Sequence, residues 1–367
     1  LPVFSLRLGF SDDSGKPAGS PARIAYDLMS EGFGPGVNGP FFAAVTLPKP
    51  RDVETLAEVI KQFQATPGVA STMPTPEMMP LYAVSQTAFS DNGIVTSVLI
   101  TPTSAPQDAA TSELLDRLRT QTDPAIEAAT GAAVYVGGSQ AVTSDFTTVL
   151  IHVLPLFLGI VILLGFLALM VLFRSLLVPL TAAVTSLLSF AAALGITVAV
   201  FQWGWLAGPL GLTSTGPIFP FLPVMVFAIL FGLSMDYQVF LVSRMQEEWE
   251  RTHDNGSAVR RGLAGSGKVV VIAAAIMSSV FLAFVPSTNS TIKLFGIALA
   301  SAVIVDAFVV RLVLVPSLMT IFGRANWWLP SWLARMLPKI QVEAGEDEIV
   351  AQKPEAPLAE EREPAGV

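Results

Sequence analysis

The sequence has no cysteine and only two histidines. The first absence excludes a disulfide scaffold, a Cys-based zinc site and a thiol nucleophile. Charge is also scarce. Only 14% of the 367 residues are Asp, Glu, Lys or Arg, against roughly 25% in an ordinary soluble domain. The balance is acidic, at a formal net charge of -8, so a polyanion such as nucleic acid is not an expected partner. What is abundant is apolar surface: 52% of residues are hydrophobic and the mean hydropathy is +0.61. A soluble enzyme and a disordered chain are both excluded by that combination.

The charges are distributed unevenly. Residues 1–147 are rich in Asp and Glu, whereas residues 175–235 hold no charged residue at all. One helix needs about 20 residues to cross a ~30 Å hydrocarbon core, so this run demands several. Five spans are expected, at about 149–173, 177–201, 219–243, 269–285 and 294–322, within a membrane domain over 148–323. Residues 324–340 read as an interfacial amphipathic segment. Residues 341–367, with eight acidic residues, read as a disordered cytoplasmic tail.

Lys and Arg cluster in alternate linkers: Arg174, then Arg244 to Lys268, then Arg324 to Lys339. The positive-inside bias puts those linkers in the cytoplasm and residues 1–147 outside. The six tryptophans fall at span ends, as expected for interfacial anchors. Residues 1–10 have no signal-peptide pattern, so an external domain in this position calls for an earlier span preceding this chain.

The outer region reads as α+β. Strands are expected over 41–47, 69–73, 93–100 and 132–136, and helices over 51–65 and 106–130. The order β-α-β-β-α-β is that of the ferredoxin-like split motif. Its scattered carboxylates lack ligand spacing. His152 and His253 lie at a span start and in a cytoplasmic loop, so no nucleophile–base or metal set faces outward and no enzyme is expected.

The sharpest signal lies inside the membrane sector. Asp236 and Tyr237 sit within the third span. A carboxylate at that depth costs roughly 2.5–3.5 kcal/mol on insertion scales and marks ion or proton pathways. Gly232, one turn earlier, would let another helix approach closely. The fifth span adds Asp306 and Arg311. Five residues correspond to about 140° around an α-helix, so pairing across helices, with Arg311 neutralising Asp236, is expected ahead of pairing within the helix. Ser278 and Ser279, midway along the fourth span, are candidate hydrogen-bonding partners of the relay.

Five stretches carry a family resemblance: the Gly232–Glu248 segment GLSMDYQVFLVSRMQEE; residues 25–40; Val136-Gly-Gly-Ser with Asp145; residues 173–179; and Val305-Asp-Ala-Phe-Val-Val-Arg311 with Val315-Pro316. Together they resemble MmpL-type transporters of the resistance-nodulation-division superfamily over about residues 1–323. The resemblance implies two repeats, each with one span, a periplasmic porter domain and five further spans. This sequence is similar to the second repeat without its first span. It implies a proton-relay pair at Asp236 and Tyr237, with the partner pair in the first repeat. It also implies export of lipids, hydrophobic molecules or drugs across the inner (plasma) membrane, driven by the proton gradient with no cofactor. Membrane lipid, the hydrophobic cargo, the first repeat and further copies in a homo-oligomer are the partners implied. Gln238 departs from the acidic residue expected there. The competing expectation is a non-transporting relative, either a protein-translocation accessory or a sterol-sensing-type receptor.

Overall fold

The computed structural model describes residues 2–336 apart from Gln86 and Thr213. The tail expected over 341–367 and the end of the 324–340 segment lie outside the described residues. The first part of the chain runs α1 (Pro21–Phe33), β1 (Phe41–Thr46), α2 (Val53–Ala65), β2 (Val69–Met73), α3 (Met79–Val84), β3 (Val95–Pro102), α4 (Ala109–Arg117), α5 (Asp123–Thr130) and β4 (Ala133–Gly137). The spans follow as α6 (Ser139–Phe173), α7 (Leu177–Phe201), the short α8 (Ala207–Leu210), α9 (Leu222–Thr252), α10 (Asn255–Leu282), α11 (Ser290–Ile304) and α12 (Val315–Phe322). The last helix is α13 (Ser331–Met336).

The four strands form one antiparallel sheet in the order β2-β3-β1-β4. Alternation sets its two faces: Phe41, Ala43 and Val45 of β1 are buried while Phe42 and Ala44 are exposed. The buried face packs on Leu56, Val59, Ile60 and Phe63 of α2, on Leu114 and Leu115 of α4, and on Ile126 of α5. That makes a two-layer α/β unit around a single core. All four expected strands are present within about two residues. The helix expected over 106–130 is interrupted between α4 and α5 by a π-helical turn at Leu118–Thr122. Ahead of them, α1 was not anticipated. Its start is set by Ser20, whose side chain accepts from Arg23 N, with Pro21 at the first helical position.

Five helices are long and apolar enough to cross a membrane, and the chain is a multi-pass membrane protein. The largest differences from the expected ends are extensions: α6 begins ten residues before 149, α9 continues nine past 243, and α10 begins fourteen before 269. Hydropathy marks the hydrocarbon crossing, whereas a helix continues as long as its backbone is supported. At about 1.5 Å per residue, the 35 residues of α6 are far longer than the bilayer core. Beyond the apolar part of α9, Arg244–Glu247 and Arg251–Glu248 pairs at 2.9 Å sustain it. The start of α10 is capped by Asp254, whose carboxylate accepts from Gly256 N and Ser257 N.

Two of the bundle's apolar clusters lie at its ends. One, nearer the sheet, gathers Phe190, Val226, Phe227 and Leu299 with Val3, Leu6 and Leu8 of the N-terminal segment. That segment is pinned by a parallel bridge between Leu8 and Ile218 and by Gln202, which donates to Arg7 O at 2.8 Å. The other cluster, at the opposite end, gathers Leu169, Phe173, Leu241, Met245, Val315 and Met319.

Candidate functional site

Between these clusters, at mid-span, lies a column of polar side chains contributed by α7, α9, α10 and the segment joining α11 to α12. That segment, Val305–Leu314, is π-helical. Its i→i+5 bonding brings residues five apart close together on one face, where an α-helix would separate them. Asp306 and Arg311 therefore pair within the segment, Arg311 Nε lying 3.5 Å from Asp306 Oδ2. This corrects the expectation that Arg311 pairs across helices with Asp236. That expectation used α-helical angles where the helix is wider.

The pair is deeply buried, with Arg311 at 0% and Asp306 at 2% exposure. A buried ion pair is tolerated only when further hydrogen bonds satisfy it. Here two serines do so and a third supports one of them. Ser189 of α7 donates to Asp306 Oδ1 at 2.9 Å and Ser234 of α9 donates to the same oxygen at 3.2 Å. Ser234 Oγ in turn accepts from Arg311 Nη2, and Ser186 of α7 lies 3.2 Å from it. Ser234 thus bridges the two charges. Sequence reasoning missed all three serines. They carry no charge, and only the packing of α7 and α9 on the π-helical segment reveals them. Their recurrence at 186 and 189 on one face of α7 was the available signal.

Tyr237 lies next to this cluster. It packs against the apolar cluster of Val270, Ala274, Val303 and Ala307. No hydrogen-bond partner reaches its hydroxyl among the described residues. Asp236 lies on the exposed face of α9, where it makes no hydrogen bond or ion pair among the described residues. Gly232, one turn away, is on the same face, and a Cβ there would meet nothing within 4 Å. The close helix approach expected at Gly232 is therefore not made by any described residue. It is made at Gly262 instead, where a Cβ would meet Met245 Cα at 2.9 Å. Ser278 is buried with its hydroxyl unpartnered among the described residues. Ser279 points to the outer face of α10 and donates to Ile276 O at 2.7 Å. The structure thus brings together Tyr237, Asp306 and Arg311, and places Ser279 away from them.

A second buried cation lies at the sheet end of the bundle. Lys293 of α11 is 8% exposed and donates to Leu210 O at 2.6 Å and Gly211 O at 3.3 Å. It fastens the uncharged loop after α7 to α11. Outside the spans, Asp123 at the start of α5 is raised to about 7, first by burial and against the pull of Arg119. The Tyr26 hydroxyl is pushed up by burial and by its hydrogen bond to Asp12.

Residues 19–340 match the model of the MMPL family. The chain is 38% identical to "Membrane protein YdfJ" of Bacillus subtilis over 94% of its own length and 45% of the relative's. It is 35% identical to "Mycolic acid-containing lipids exporter MmpL11" of Mycolicibacterium smegmatis, over 93% of this chain and 35% of that protein. It is 37% identical to "Heme uptake protein MmpL11" of Mycobacterium tuberculosis, over 87% and 32% respectively. The chain thus spans between about a third and just under half of the length of these relatives. It belongs to the MMPL family.

Proposed function

We propose that this MMPL-family chain is the second repeat of a transporter that uses the proton-motive force to export lipids or other hydrophobic molecules. Asp236 and Tyr237 form its proton relay. The supporting observation is the placement of Asp236 at span depth, exposed on α9 with Gly232 beside it. A carboxylate facing hydrocarbon is costly, so this face belongs against protein or a water-lined cavity. The first repeat, with its own relay pair, is the partner that would cover it. Tyr237 follows Asp236 in sequence and packs on the cluster that includes Ala307, the neighbour of Asp306. A protonation change at Asp236 is thereby felt by a network spanning α7, α9 and the π-helical segment. Each proton moved through 100 mV supplies about 2.3 kcal/mol, enough to bias a rocking motion of packed helices.

In this reading residues 1–147 form a ferredoxin-like porter domain on the outer side of the inner membrane. The β2-β3-β1-β4 order with α2 and α4–α5 as crossovers supports it. The lipid cargo rests on the relative named as a lipid exporter, and the relative named for heme uptake keeps the class at hydrophobic molecules.

The test is proton uptake by the native full-length protein in proteoliposomes under an imposed pH gradient. Asp236→Asn is expected to abolish uptake and export while the protein inserts and folds normally. Unimpaired uptake by that variant overturns the relay assignment.

A further inference from the structure

Four polar atoms near the Asp306–Arg311 pair lack any hydrogen-bond partner among the described residues: Arg311 Nη1, Gln238 Nε2 and Oε1, and Ser266 Oγ. All three side chains are at 0% exposure. They come from three different elements, α9, α10 and the π-helical segment, yet lie at one depth. Gly262 of α10 is in backbone contact with Met245 of α9. From that contact, Gln238 is seven residues away, about 10 Å, and Ser266 is four residues away, about 6 Å, in the same direction because the two helices form an antiparallel hairpin. A Cβ at Gly267, next to Ser266, would lie 3.6 Å from Leu312, the neighbour of Arg311. The three groups therefore fall within about one helical turn of one another in depth.

In a hydrocarbon surround, outside water does not reach such atoms, and natural proteins satisfy buried polar groups with ordered internal water where the protein offers no partner. The orphaned set suits water. It holds donors on Arg311 and Gln238, an acceptor on Gln238, and a hydroxyl on Ser266 that serves as either, so a water can make the two to four bonds it needs. An acid at position 238 would add a second buried negative charge to the surroundings of the Asp306–Arg311 pair. The carboxamide present here carries no charge and leaves Arg311 with Asp306.

We propose that Gln238, Ser266 and Arg311 Nη1 form an internal water-binding site on the α9–α10 hairpin side of the Asp306–Arg311 pair. If the proton-driven reading above holds, this water connects the buried pair toward that end of the bundle. The site is tested on the native full-length protein in lipid nanodiscs by X-ray radiolysis, in which bound water generates hydroxyl radical that oxidises adjacent side chains. Leu241, one turn from Gln238 and 0% exposed, is expected to be labelled in the wild type. It should be labelled several-fold less in Gln238→Leu and in Ser266→Ala. No labelling of Leu241 in the wild type, or equal labelling in all three, overturns the site. Proton uptake in proteoliposomes then tests its role: Gln238→Leu should be slowed at least tenfold, and wild-type uptake in a variant that has lost the labelling overturns the connection. A wild type that takes up no protons refutes the transport reading and leaves the water site to be decided by the labelling.

Discussion

Asp306 and Arg311 form an ion pair within a single helical segment, although five residues separate them. The pairing exists because Val305–Leu314 is a π-helix. A π-helical turn is uncommon and is frequently found at functional sites. Here it has an identifiable consequence: the carboxylate and the guanidinium face α7 and α9 together, and Ser189 and Ser234 close around them.

Removing one charge of a buried pair leaves the other uncompensated, at a cost of about 3–5 kcal/mol. Arg311→Met is therefore expected to collapse the yield and thermal stability of the full-length protein in detergent. Adding Asp306→Asn to Arg311→Met should restore much of both, since the neutral side chain keeps its serine partners. If the double variant is no more stable than the single one, the pair is not what holds the segment.

The spans, the α+β region before them and the polar positions 236, 237, 306 and 311 within the spans were legible in the sequence, because hydropathy and the rarity of polar residues in apolar runs report directly on the spanning segments. The partnering of those charges was not legible. It depends on a local change of helix type, which has no hydropathy signature. Which glycine packs a helix from the same chain was not legible either: Gly232 sits beside Asp236 in the most distinctive stretch, whereas Gly262 makes a close backbone contact within the described residues. Spacing alone does not show which face of a helix meets a neighbour from the same chain.

That contrast between glycines is measurable. A Cβ at Gly262 would meet Met245 N and Cα, both at 2.9 Å. Backbone cannot rotate away as a side-chain tip can, so Gly262→Ala should destabilise the α9–α10 hairpin by about 1–3 kcal/mol. Gly232→Ala should leave the thermal stability of this chain's helix bundle unchanged, as nothing described lies within 4 Å. Equal losses in the two variants would refute the packing described.

Arg119 fastens the α/β domain to the first spanning helix. Its guanidinium donates to both oxygens of Asp145 on α6 and, at 2.9 Å, to Val136 O of β4. Asp145 is half exposed, so the pair contributes no more than about 1 kcal/mol to stability. Its effect is one of position. Arg119→Ala is expected to leave the melting temperature nearly unchanged while speeding hydrogen exchange in the first turns of α6. Unaltered exchange there would show that α6 is held without the clamp.

Asp123 makes the stability of the α/β domain depend on pH in a defined direction. It is 9% exposed and its Oδ1 has no partner among the described residues. Burial raises it from 3.8 to about 7 in the folded state. Between those two values the folded domain holds a proton that the unfolded chain releases. Stability is then highest below about pH 4, falls as pH rises toward 7, and is constant above it. At about 1.4 kcal/mol per pKa unit the full change is a few kcal/mol. Hydrogen exchange of the α5 and β4 amides, corrected for intrinsic rates, should therefore show less protection at pH 8 than at pH 5. In Asp123→Asn, which has no proton to lose, that difference should vanish. The same pH slope in both proteins would place its origin in another group.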